Sequence, residues 1–230
     1  MDTPAQGTEL AAEIAEAGRV MAALGLVTAF GHVSARADAE MLVTPAAPLG
    51  GVSAAAVVTV PLDATALPPG APGEAWLHLA VYAARPDAAA IARAQPADGF
   101  AVTAVAGELR PLHGQAAWLG PVVPVHDDPR LLRNAKLAAA AAATLAGHPG
   151  SEAMLLRGNG AVTTAATPGL AVARMWLLAA ASRAYLDASA AGQPVPLAPA
   201  EIAAWQDVQA EMLPRVWEYL RYSVPRTRSS

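Results

Sequence analysis

The chain has 230 residues, enough to bury a full hydrophobic core in one domain or in a domain with appendages. It is 54 % hydrophobic, alanine dominates, and the net charge is −4, so with no basic stripe or lysine cluster a nucleic-acid partner is excluded. Cysteine is absent, which rules out disulfides and thiolate metal sites.

Residues 8–24 predict the first helix. Leu10, Ile14, Ala17, Val20, Met21 and Leu24 recur near a 3.6-residue period, with Glu9, Glu13, Glu16 and Arg19 mostly opposite. Thr8 is expected to cap that helix and Gly25 to end it. Residues 31–36 and 41–44 read as paired strands joined by a polar turn at Asp38, and 57–60 as another strand. Residues 45–53 form a Pro/Gly loop, and 61–73 form a second with four prolines. A helix over 74–84 stops before Pro86. Strands follow at 88–94 and 122–125, then an alanine-rich helix at 130–146 with Asp128 as its expected N-cap. A hairpin over 153–157 and 161–164 turns at Gly158-Asn159-Gly160. A long helix spans 168–191, with Pro168 suited to its first turn. Residues 192–199 are a Pro-rich linker to a last helix over 200–222, where Pro214 should force a kink or restart. The all-alanine run 138–143 is far too short to cross a bilayer, so no membrane partner is expected. Met1-Asp2-Thr3-Pro4 lacks a basic segment followed by an apolar one, so no secretory signal and a cytoplasmic location are expected.

Three stretches carry chemistry. Glu74-Ala-Trp-Leu-His78 opens the second helix, and Arg93-Ala94-Gln95 ends a strand 19 residues after Glu74. Leu155-Leu156-Arg157-Gly158-Asn159-Gly160 closes the set. Together with Gly31-His32-Val33-Ser34-Ala35-Arg36 and Leu42-Val43-Thr44-Pro45, in this order and spacing, the chain resembles the class II aldolase/adducin family. The resemblance implies one class II aldolase-like domain over 1–230. Its implied fold is a three-layer α/β/α arrangement about a central mixed, largely antiparallel sheet, which also fits the order of the elements. It further implies a homotetramer with active sites at subunit boundaries. Members of that family bind a divalent metal, usually zinc, through His-x-His and a third His. Here those positions hold Arg93, Gln95 and Asn159.

A zinc ligand of this kind donates an imidazole lone pair at about 2.0–2.1 Å. Arginine has no free lone pair and stays protonated, while Gln95 and Asn159 offer amide oxygens that suit harder cations. No metal and no cofactor are therefore expected. Arg93 can replace the metal as a cation that grips a carboxylate or stabilises an enolate oxygen, or it can simply pair with Glu74. Glu74 matches the family's acid/base residue, and its position also suits a residue that complements a helix N-terminus. His32 replaces the Asn of Gly-Asn-x-Ser and reads either as a general base near pH 7 or as a surface loop residue. Ser34, Arg36 and Thr44 fall where the family lines its substrate pocket. His78 lies one turn after Glu74 on the same helix face, and His113 lies in a loop often near the site. Ala46-Ala47 stands where phosphate-handling members place Ser-Gly, so a sugar phosphate is disfavoured. His126-Asp127-Asp128 reads as a capping segment and His148 as a surface turn residue.

No Gly-x-Gly-x-x-Gly, P-loop or Gly-x-Ser-x-Gly is present. The expected activity is a metal-independent lyase acting on a small carboxylate- or carbonyl-bearing molecule. Aldol cleavage, decarboxylation or a related enolate step would suit it, with Glu74, Arg93 and His32 catalytic. Biosynthetic tailoring fits such divergence. The alternative is a non-catalytic ligand-binding or scaffold protein. Convergence of His32, Glu74, Arg93, Gln95 and Asn159 on one open pocket would favour the enzyme, and a pocket filled by Trp76 or Trp118 would favour the scaffold.

Overall fold

Alternation along short strands gives the sheet two apolar faces, and helices cover both. The computed structural model describes residues 4–224, so the first three residues of the segment read for a secretory signal lie outside the described residues. Eight strands form one sheet: β1 (His32–Ala37), β2 (Glu40–Val43), β3 (Val58–Pro61), β4 (Ala90–Ala94), β5 (Glu108–Leu109), β6 (Val123–His126), β7 (Ala153–Leu156) and β8 (Gly160–Ala165). Their order is β3-β2-β1-β4-β8-β7-β6-β5. Only the β6–β7 pair is parallel, so the sheet is mixed and largely antiparallel.

The helices are α1 (Pro4–Ala23), α2 (Ala75–Ala84), α3 (Ala97–Val105), α4 (Ala135–Ala146), α5 (Pro168–Ala191), α6 (Pro199–Asp207) and α7 (Gln209–Ser223). Side-chain parity assigns each strand residue to a layer. Ala90, Ala92 and Ala94 of β4 and Val33 and Ala35 of β1 join the core beneath α1, α3, α5 and α7. Ile91 of β4, with Met41, Val43 and Val162, joins a second core beneath α2 and α4. The result is three layers, α/β/α.

Several boundaries differ from the sequence reading. α1 begins at Pro4, so Thr8 lies inside the helix rather than capping it; a proline is tolerated in a first turn, where its missing N–H has no helical acceptor. Gly25 ends α1 as expected, at φ 69°, with Leu26 N–H returning to the Met21 carbonyl at 3.2 Å. α3 and β5 were not foreseen. α4 starts five residues later than expected because Asn134 caps it, its Oδ1 accepting from Leu137 N–H at 3.0 Å. Asp128 instead accepts from the Arg130 N–H at 3.0 Å and pairs with that guanidinium. The last helix divides at Val208, while Pro214 sits within α7. Residues 192–198 have no regular structure.

Candidate active site

Strand register builds the site. In the antiparallel β1–β4 pair, His32 stands opposite Arg93 and Ser34 opposite Ile91, so these side chains share the face covered by α2. Glu74 is the N-cap residue of α2, which places it above the end of β4. Asn159 is carried in by the tight β7–β8 hairpin. Gly160 sits there at φ 101°, and a Cβ would collide with the Ala94 carbonyl oxygen and the Gln95 backbone. Glycine thus lets the hairpin press against the end of β4. His32, Glu74, Arg93, Gln95 and Asn159 all line one cavity of about 650 Å³. Neither Trp76 nor Trp118 fills it.

At its base, Arg93 is only 1 % exposed. Its Nη2 lies 2.9 Å from Glu74 Oε2, 2.6 Å from Asn159 Oδ1 and 2.9 Å from the Asn159 carbonyl oxygen. The Asn159 amide in turn donates to Glu74 Oε1 at 3.1 Å. Three residues thus close a small network about Nη2. The other two nitrogens differ: Nε and Nη1 are buried and meet no acceptor. A buried donor without a partner costs about 1–3 kcal/mol, which an entering acceptor would offset. Burial lowers the Arg93 pKa and Glu74 raises it, and an arginine remains a cation throughout the working pH range.

His32 and His78 lie beside this cation with ring centroids 5.8 Å apart. Burial, then the mutual His78 and Arg93 charges, hold His32 well below the ordinary imidazole value. His32 is therefore a neutral imidazole at pH 7, buried rather than a surface loop residue, with Nδ1 unpartnered. His78 is fully buried and pushed down to about 3, first by burial and then by Arg93.

The remaining residues expected at the site lie outside the cavity lining. Ser34 Oγ sits 2.7 Å from His78 Nδ1 and 2.8 Å from Tyr82 Oη, a buried chain between β1 and α2. Arg36 donates to the Tyr82 carbonyl at 2.7 Å and lies over the Tyr82 ring. Thr44 Oγ1 accepts from Val33 N–H at 3.1 Å, tying β2 to β1. His113 precedes the 3-10 turn Gly114–Leu119, away from Arg93. His126 Nδ1 meets Thr144 Oγ1 at 2.9 Å, and His148 Nδ1 meets the Thr144 carbonyl at 2.7 Å.

Sequence reasoning missed Arg133, Leu131, Phe30 and Gly73, which complete the cavity wall. Arg133 stands alone in an irregular loop, where no periodicity or motif marks it. Among the described residues, no group of three or more His, Cys, Asp or Glu side chains is placed to hold a metal ion.

The sequence matches the family description "Class II Aldolase and Adducin N-terminal domain" over residues 12–186. A comparison with the curated proteins returns no match. The fold is similar to that of L-fuculose-1-phosphate aldolase from Thermus thermophilus, at 26 % identity and TM-score 0.72, covering 81 % of this chain and 98 % of that one. An aldolase II superfamily protein from Pseudomonas syringae aligns at 24 % identity and TM-score 0.77, covering 96 % and 94 %. L-fuculose 1-phosphate aldolase from Glaciozyma antarctica aligns at 21 % identity and TM-score 0.73, covering 97 % and 94 %.

Proposed function

The chain belongs to the family of the class II aldolase and adducin N-terminal domain, and on that premise we propose that it is a carbon–carbon lyase that works without the family's divalent metal. Its reaction is aldol cleavage, decarboxylation or a related enolate step on a small carbonyl- or carboxylate-bearing molecule. One observation carries the reading: Arg93, a residue of the cavity lining, is buried and keeps two donor groups, Nε and Nη1, that have no acceptor. A preorganised cation with free N–H groups meets the oxygen on which charge develops. In an aldol cleavage, Glu74 or His32 takes the hydroxyl proton, the carbon–carbon bond breaks, and its electron pair moves onto the carbonyl as an enolate. Arg93 then stabilises that oxygen.

The donor set does not fit zinc. Arg93 offers no lone pair and puts a fixed positive charge, paired with Glu74, where a cation would need ligands. Gln95 and Asn159 contribute amide oxygens only, and the Asn159 oxygen is already taken by Arg93. The same family reading carries a single functional domain, with 192–199 as a linker, and a cytoplasmic homotetramer. A second reading has its own support. Both Glu74 oxygens are satisfied by Arg93 and Asn159, as expected of a site retained as structure in a non-catalytic binding protein.

Turnover separates the two. Product release from a panel of β-keto acids and β-hydroxy carbonyl compounds is followed with and without chelator, alongside elemental analysis. Expected are sub-stoichiometric metal, chelator-insensitive turnover, and a loss of tenfold or more in Arg93→Lys, which keeps the charge but not the planar fork. One tightly held metal per chain, or activity abolished by chelation, would overturn the metal-free mechanism. Silence across the panel with retained ligand binding would favour the non-catalytic reading.

A further inference from the structure

We propose that the cavity selects a monocarboxylate with an apolar body, and that Arg133 is the residue that anchors the carboxylate. This rests on the reading of the cavity as a small-molecule site. Arg133 lines the same cavity as Arg93, yet the two guanidiniums differ in what they already hold. Arg93 is matched by Glu74 at 2.9 Å. Arg133 is, among the described residues, the arginine whose side chain meets neither an acceptor nor a carboxylate. Two other arginines show the contrast: Arg130 pairs with Asp128 and Arg157 with Asp127.

Arg133 is exposed at the cavity rim, and its backbone and the glycine beside it set where its side chain runs. Its backbone N–H donates to the Leu131 carbonyl at 2.9 Å, and the next residue, Asn134, caps α4. Its side chain lies across Gly73, where a Cβ would come within 2.9 Å of Nε. Gly73 directly precedes Glu74, so the absence of a side chain there lets a guanidinium reach the rim beside the Glu74–Arg93 pair.

Charge decides how many anionic groups the cavity takes. Glu74 and Arg93 cancel, and the buried His32 is neutral at pH 7. One uncompensated positive charge remains, on Arg133, and it matches one negative charge on the ligand. The walls decide which anion. Ala46, Ala47, Pro48 and Pro72 bring neither hydroxyl nor ammonium, and a phosphate dianion stripped of water needs several donors. A carboxylate is met by one planar guanidinium fork. Phe30 and Leu131, which are 66 % and 57 % exposed, border the cavity and offer an apolar surface to the rest of the ligand. Arg93 is then left for the neutral carbonyl oxygen at the base.

Calorimetric binding of 3-phenylpropionate to the full chain tests this, with 3-phenylpropionamide, propionate and phenyl phosphate as comparators. The expected result is at least tenfold tighter binding of 3-phenylpropionate than of each comparator. Arg133→Met should lose that margin, Arg133→Lys should keep part of it, and Gly73→Ala should weaken it by displacing the guanidinium without removing its charge. Equal affinity in wild type and Arg133→Met, preference for phenyl phosphate, or no carboxylate binding at millimolar concentration overturns the proposal. The lyase reading fails separately: Arg133-dependent binding without turnover of any keto acid sinks the enzyme and leaves the anchor. Turnover that falls in Arg93→Lys but keeps its KM in Arg133→Met sinks the anchor and leaves the enzyme.

Discussion

Arg93 is satisfied at Nη2 and unmet at Nε and Nη1, and both facts have measurable consequences. Removing it strands the Glu74 carboxylate, 8 % exposed, without a countercharge. Breaking a buried pair in this way costs about 3–5 kcal/mol. Arg93→Met is therefore expected to destabilise strongly in urea unfolding, and the double variant Glu74→Gln/Arg93→Met to recover most of that loss. Equal losses in the single and the double variant would show that the ion pair does not hold the site. The buried histidines add a pH signature. His78 titrates near pH 6.5 when unfolded but near 3 when folded, and His32 is shifted in the same direction. Below pH 6.5 the unfolded chain binds protons that the native state refuses, so stability is level above that pH and falls as pH drops toward 3. The slope approaches about 1.4 kcal/mol per pH unit for each histidine. Denaturation midpoints from pH 7 to 4.5 should fall less steeply in His78→Gln, and an unchanged slope would sink the assignment. The cavity side chains at 32, 74, 93, 95 and 159 were legible in the sequence through the family resemblance, and strand register and a tight hairpin bring them together. Ser34, Arg36 and Thr44 looked like pocket residues, but α2 covers the face of the first two, where its Tyr82 engages both, and Thr44 lies on the other face against Gly18 of α1. Arg133 was illegible, since the path of its loop is set by tertiary contacts.

Elements with a clear period were readable, and those whose ends depend on one polar side chain were not. The strands at 32–37, 40–43 and 153–156 and the helices at 75–84 and 168–191 follow from apolar spacing and turn residues. α3 escaped notice because Ala97-Asp98-Gly99-Phe100 and the following Val and Thr residues are a weak helical sequence. Its amphipathic packing against α5 and β7 decides the matter. At α4 the sequence reading set the N-cap at Asp128, and the alanine run marks no boundary that would correct it. Asn134 is the cap because its Oδ1 meets the Leu137 N–H, while Asp128 is engaged by Arg130. Asn134→Ala should therefore cost about 1 kcal/mol, measured by thermal or urea unfolding, and Asp128→Ala should cost less. The reverse order would restore the cap to Asp128. The break between α6 and α7 falls at Val208 rather than Pro214, and Pro214 is accommodated inside α7.

At the scale of the molecule, both apolar layers are closed, yet aromatic surface remains outside. Tyr219 and Tyr222 of α7 are 63 % and 77 % exposed, and Trp205 of α6 is 41 % exposed. Trp176 of α5 packs against Tyr219 with centroids 6.4 Å apart, which extends the apolar strip from the core to the surface. Exposed aromatic surface is costly to leave in water, and two such tyrosines one turn apart on α7 suit a contact face. Closed symmetric assembly is the commonest way for a chain to cover it. Light scattering of the full chain at micromolar concentration is expected to give four times the chain mass of 23.3 kDa. Tyr219→Lys/Tyr222→Lys places two charges on the strip and should lower that mass, with the far-ultraviolet circular dichroism unchanged because neither side chain is buried. A wild-type monomer would remove the case for assembly. A tetramer indifferent to the double substitution would place its contact face elsewhere than on α7.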